Sequence, residues 1–316
     1  MPINEFGMND DYIKYFDLEE YVSRIKLSSN LLGHLEDTNS EFDKYMRTLA
    51  TYDESYIVDY WIFLLYHELK ANQGIENLRF DITKLVDKSV FFDTLNISNR
   101  RIHDLHNSIT NGEMEPTFSY RSVPVNVSRF TEKGDEEIFW RGANPEDVSK
   151  FMNHFISIYK QGGTSMLFSN PFLASALMHL LFIKIHPYTD GNGRTARVIH
   201  NIKFTEMINR LWGTKLKLSP LHLSQSILLN KITYAKRIDF IYFDVEHDTN
   251  DAINRWFDFM LDMADEQIYR ATQKLENADI SKIKTTLSQD AVGQELLGFS
   301  NAVPPMHLGK LKARFR

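Results

Sequence analysis

The residues best suited to chemistry lie in one run, His186-Pro187-Tyr188-Thr189-Asp190-Gly191-Asn192-Gly193-Arg194-Thr195-Ala196-Arg197. Gly191, Asn192 and Gly193 let the backbone turn tightly and point several N–H groups one way, the arrangement that binds anions. A helix that starts here adds its own unpaired N–H groups. Arg194 and Arg197, three residues apart, reach the same side, and guanidinium forks suit phosphate oxygens. Asp190 would repel a bare phosphate, so its place beside this nest makes sense if it holds a divalent cation that bridges phosphates. His186, at the end of the preceding helix, has the chemistry of a general base near neutral pH. Each feature alone has an ordinary reading: a turn, a satisfied helix-end histidine, two solvated arginines. Base, metal ligand, anion nest and two cations within twelve residues describe nucleotide chemistry.

This run resembles the Fic-domain signature: histidine, any residue, phenylalanine, any residue, aspartate or glutamate, Gly-Asn-Gly-Arg, two residues, arginine. Tyr188 stands where the family usually has phenylalanine, and its hydroxyl then needs a partner or water. Members of the family are mostly helical and commonly transfer AMP from ATP to a serine, threonine or tyrosine hydroxyl of a protein. The resemblance covers roughly residues 60 to 260. It implies that His186 deprotonates the target hydroxyl and that Asp190 binds Mg2+. It implies that Asn192 helps to hold the phosphates and that the backbone of Gly191 and Gly193 lines the anion hole. Arg194 would contact the phosphates and Arg197 the terminal phosphate. Relatives of the fold use other donors, such as UMP or phosphocholine groups, and the loop reads phosphate rather than base. The intact Gly-Asn-Gly-Arg favours nucleotide transfer over kinase-like chemistry.

Three further features take a role from the resemblance. The segment 117–129, with Phe118 and Tyr120 on one parity and Val123, Val125 and Val127 on the other, predicts a short hairpin. Pro124 cannot donate to a ladder, so its strand should be an edge. Tyr120, Arg121 and Val125 match the family's flap, which aligns the target segment by strand addition; a hairpin that only closes the core is the other reading. Tyr234 resembles the family tyrosine near the nucleotide base, and is equally readable as a core aromatic. In residues 72–77, Asn72-Gln73-Gly74-Ile75-Glu76-Asn77 resembles the inhibitory helix of many members, with Asn72 in place of serine or threonine. The expectation is that Glu76, followed by Asn77, pairs with Arg197 and weakens its grip on the terminal phosphate. A solvated helix face is the alternative for Glu76.

The elements that must position these residues are helical. Ile57, Val58, Trp61, Leu64 and Leu65 predict a long helix over about 53–71. Another is expected over 81–93. Ser98 is an N-cap for a helix with Ile102, Leu105, His106 and Ile109 on one face and Gly112 at its end. Asn144-Pro145 opens a helix carrying Val148, Phe151, Phe155 and Ile156, and Asn170-Pro171 opens the apolar one that runs to about Ile185. Further helices are expected from about Arg194 to Leu211, from Ser224 to Ile238 and from Thr249 to about Leu275. The predicted fold is mainly α, a Fic-type bundle with a hairpin flap. It divides into an N-terminal extension 1–60, a catalytic domain 61–262 and a C-terminal appendage 263–316.

Bulk properties fit this reading. Of the 316 residues, 43% are hydrophobic and 13% aromatic, enough for a large core. There is no cysteine, which excludes thiolate metal sites and cysteine nucleophiles. A formal net charge of -6 gives no support to a nucleic-acid-coating protein, and no basic recognition helix is visible. The start has neither a basic nor an apolar run, and Phe172 to Ile185 is too short to span a bilayer. The expected partner is a protein with a hydroxyl side chain, the molecule itself included, and the expected compartment is the cytoplasm. The apolar N-terminal surface suits a homodimer. A nucleotide-responsive regulator or DNA-binding adaptor is the reading from another class.

Overall fold

A computed structural model describes residues 12–76, 97–110, 114–130, 136–161, 166–277, 280–289, 293–294, 296–297 and 309–315. Helices α1 (Leu18–Ser23), α2 (Ser29–Leu49), α3 (Glu54–Glu76) and α4 (Asn99–Thr110) precede the strands β1 (Asn126–Phe130) and β2 (Glu136–Arg141). Then come α5 (Val148–Gln161), α6 (Pro171–Ile185), α7 (Asn192–Trp212), α8 (Ser224–Leu229), α9 (Lys231–Asp239), α10 (Asn250–Asn277), α11 (Ile280–Ser288) and α12 (Gly309–Phe315).

Helix α6 is the hub. All fifteen of its residues are buried, so it has no solvent face, which is why its sequence is apolar without a period. Its start follows from Asn170, whose side chain accepts from Phe172 N and Leu173 N ahead of Pro171 at the first turn. α7 packs along α6, while α5 and α10 cover further faces. The end of α7 is set by Gly213 at φ 63°.

Several expectations shift. The hairpin exists, but its strands are 126–130 and 136–141, antiparallel with an irregularity between Val127 and Ser128. Residues 117–125 form no ladder. Pro124 lacks a donor, and Arg121 turns inward instead of continuing an alternating strand. The helix expected over 224–238 breaks at Asn230 into α8 and α9. α5 starts at Val148, after a turn that includes Pro145. α3 and α10 run unbroken across the expected boundaries at 60/61 and 262/263, and one apolar core joins all three expected domains. The helix expected over 81–93, Gly112 and Asn77 lie outside the described residues.

Candidate active site

His186 is the C-cap of α6, at φ 54° and ψ 61°, the one non-glycine residue with positive φ among those described. That left-handed backbone costs an L-residue about 1–2 kcal/mol, so its surroundings must hold it there. It lets the chain leave the helix sharply while the ring folds back. Nδ1 lies 3.1 Å from the Ile183 carbonyl oxygen. A carbonyl only accepts, so Nδ1 carries a proton, and in the neutral ring the lone pair lies on Nε2.

Gly191 is the N-cap of α7, at φ 73°. A β-carbon there would be strained, and would stand 2.4 Å from Thr110 Cγ2 and 2.9 Å from His106 Cε1. Glycine is therefore demanded twice, by backbone and by the close passage of α4. No side chain caps this helix end, so the N–H groups of its first turn face outward as an anion nest. Arg194 lies on that turn with a buried side chain, its Nη2 3.8 Å from Asp190 Oδ2.

Asn192 also holds the loop together. Its Oδ1 accepts from Tyr188 N at 2.9 Å and its Nδ2 donates to Tyr188 O at 2.8 Å. Both ends of the amide bond the loop backbone, so Asn192 staples the turn, and this uses one of the two Nδ2 protons.

Asp190 is exposed, and its Oδ1 accepts from Gly191 N at 2.6 Å. Among the described residues no group of three or more His, Cys, Asp or Glu side chains could form a metal cage. One outward carboxylate beside an anion nest fits Mg2+ in its usual mode, held by a single carboxylate, water and substrate phosphates.

The loop is braced by two histidines of α4. The Tyr188 ring stacks on His106, with centroids 3.6 Å apart and planes at 7°. The Tyr188 hydroxyl lies 2.8 Å from His103 Nδ1, the partner that replacing phenylalanine by tyrosine requires. His106 Nδ1 lies 3.2 Å from Thr195 Oγ1. Burial, with Arg194 and then His103 adding repulsion, lowers the His106 pKa to about 3. It is neutral at working pH and can stack without placing a second charge beside Arg194. His106 on an inward helix face was visible in the sequence; its partnership with Tyr188, more than eighty residues away, was not.

Arg197 is buried and its Nε donates to Asn72 Oδ1 on α3. Asn72 Nδ2 donates to the Glu68 carbonyl and to Glu68 Oε1, which orients the amide. Glu68, also buried, accepts from Asn201 Nδ2 and from the backbone and hydroxyl of Ser224. α3 is thus tied by a polar clasp to α7 and to the start of α8. Glu76 is the last residue of α3, and its side chain lies outside the described residues.

Tyr234 is buried, with its hydroxyl 2.7 Å from His179 Nε2, a full turn and more behind His186 on α6. Of the flap residues, Tyr120 donates to Asn99 Oδ1 at 2.7 Å and packs on His103. Val125 O accepts from Gly142 N at 3.5 Å. Arg121 turns under the His186 loop and is buried, and burial lowers its guanidinium to about 10, still charged at neutral pH.

Comparison with known proteins agrees with this geometry. Residues 96–202 match the model of the Fic/DOC family. A 57-residue stretch is 44% identical to the "Protein adenylyltransferase Fic" of Nematostella vectensis and one of the same length is 42% identical to that of Aedes aegypti. Each stretch is 18% of this chain and only 13% and 11% of those relatives' lengths. A Fic family protein from Desulfovibrio desulfuricans G20 is similar in fold over 88% of both chains, with a TM-score of 0.57 at 15% identity. The likeness to the Fic/DOC family thus lies in residues 96–202, the stretch that holds α4, the hairpin and the His186–Arg197 run.

Proposed function

We propose that the protein is an adenylyltransferase that moves AMP from ATP to a serine, threonine or tyrosine hydroxyl of a protein, itself included. The observation that carries the reading is the fixed tautomer of His186 beside an uncapped helix start flanked by Arg194. His186 Nε2 takes the hydroxyl proton as the oxygen attacks the α-phosphorus, and the bond to the pyrophosphate oxygen breaks. The first-turn N–H groups of α7 and the arginines stabilise the phosphate charge that develops and departs. Mg2+, when bound at Asp190, would neutralise phosphate charge and orient the leaving group. ATP and the target hydroxyl supply every atom transferred, and the proton ends on His186.

The same reading includes a brake. Asn72 already occupies Arg197 Nε, and Glu76 follows four residues later, hence on the same face of α3. A carboxylate there would draw Arg197 away from the terminal phosphate and leave ATP misaligned. Incubation of wild type, Glu76→Gly and His186→Ala with ATP and Mg2+, followed by intact mass, tests both parts. Growth of an adenylyl adduct in the Glu76 variant, and its loss without His186, is expected. An adduct that persists in His186→Ala would refute the assigned base.

A further inference from the structure

Arg121 comes from the segment expected to contact the target, yet it faces the other way. Its Nε donates to the His186 carbonyl at 2.7 Å, and its Nη2 donates to the carbonyls of Ala143 at 2.5 Å and Ile185 at 3.5 Å. Its Nη1 donates to Val123 O at 2.8 Å, and its own backbone N–H to Pro187 O at 3.0 Å. The guanidinium therefore satisfies the carbonyls that α6 leaves open at its end, where a cation is also favoured by the helix dipole. It joins three segments: the end of α6, the residues after β2, and 121–123 itself. Gly142 completes the fit. A β-carbon there would stand 2.8 Å from Arg121 Nη2 and 2.8 Å from the His186 β-carbon.

We propose that Arg121 is a positioning residue for His186 rather than a contact to the target: its guanidinium pins the left-handed backbone that lets Nδ1 reach Ile183 O. Four carbonyls take up its fork, which leaves little to offer an incoming peptide. A lysine has no planar fork and cannot serve three segments at once. The consequence for catalysis rests on the proposed role of His186 as base; the geometric claim does not.

The test uses the full chain labelled with 15N-histidine, with the His186 signals identified by their loss in His186→Ala. Wild type at pH 8 should show the Nδ1-protonated tautomer. Arg121→Gln, Arg121→Lys and Gly142→Ala should lose that signature and slow self-adenylylation about 100-fold, the scale of a misplaced reacting group. ATP affinity by calorimetry should stay within a few-fold, since the anion nest is untouched. Gly142→Ala keeps Arg121 and covers the case in which the Arg121 variants do not fold. Folded variants that retain both the tautomer and the rate would overturn the proposal, and so would a loss of rate with the tautomer intact, the mark of a target contact. A Glu76→Gly chain that transfers nothing would count against the functional reading, while the tautomer comparison would still decide the role of Arg121.

Discussion

The two ends of the His186–Arg197 run are held in different ways. At the histidine end the restraints are a charged fork on backbone carbonyls, a glycine with no room for a methyl group and a ring nitrogen on its own helix. At the Arg197 end a side-chain amide from α3, oriented by Glu68, holds the guanidinium. The first arrangement ties three chain segments together through backbone carbonyls and a planar fork. The second joins α3 to α7 through side chains, Asn72 to Arg197 and Glu68 to Asn201, and on the proposed reading its hold on Arg197 can be exchanged for phosphate. If the proposed roles hold, the site keeps its base rigid and its phosphate grip releasable.

The largest test of that contrast is to remove the base. His186→Ala should slow transfer by about 10² to 10⁴-fold, the usual share of general base catalysis, without lowering ATP affinity by calorimetry. Next is the releasable end. Asn72→Ala combined with Glu76→Gly should raise the rate of self-modification about 10-fold, as a charge-assisted contact worth about 1.5–3 kcal/mol is withdrawn from the resting state. A fall instead would mean that the clasp aligns Arg197 for catalysis.

Stability changes come after these. Gly191→Ala should lose about 1–2 kcal/mol for its backbone alone and more from the collision with α4, read as a lowered denaturant midpoint. His103→Ala should lose about 1–3 kcal/mol, because the buried Tyr188 hydroxyl then has no partner. Adding Tyr188→Phe should restore much of it, a cycle that a simple packing role of His103 would not produce.

The remaining effects concern pH. His67, His106 and His200 have pKa values lowered by burial to about 4, 3 and 3, and His103, His179 and His222 are also lowered by burial. The unfolded chain therefore binds more protons below pH 6.5, and stability should fall as pH drops from there towards 4. His34 works in the opposite sense. Burial opposes its charge, but Asp258 and Asp265 at 2.7 and 2.9 Å prevail and raise its pKa. Its contribution is full below the unfolded pKa and lost as pH rises through the higher folded value. Being partly exposed, it should amount to less than about 1 kcal/mol, measurable as the pH dependence of the melting of His34→Gln against wild type.

Local chemistry made much of this legible in advance. Asn170-Pro171 marked the start of α6, the aperiodic apolar run marked its burial, and the glycines of the loop marked the helix start that follows. What stayed hidden depends on partners distant in sequence. Asn72 meets Arg197 from 125 positions away and His103 meets Tyr188 from 85. The alternation over residues 117–125 mimicked a strand because Phe118, Val123 and Val125 are apolar, yet Phe118 is 78% and Val123 50% exposed. Burial there belongs to Arg121, a charge that no hydrophobic pattern would place inside.

The measurement that bears most directly on the central claim is intact mass after incubation with ATP and Mg2+, comparing Glu76→Gly with Glu76→Gly/His186→Ala. The account predicts one or more adenylyl adducts on the first and none on the second. Equal adducts on both would contradict His186 as the base on which the transfer depends.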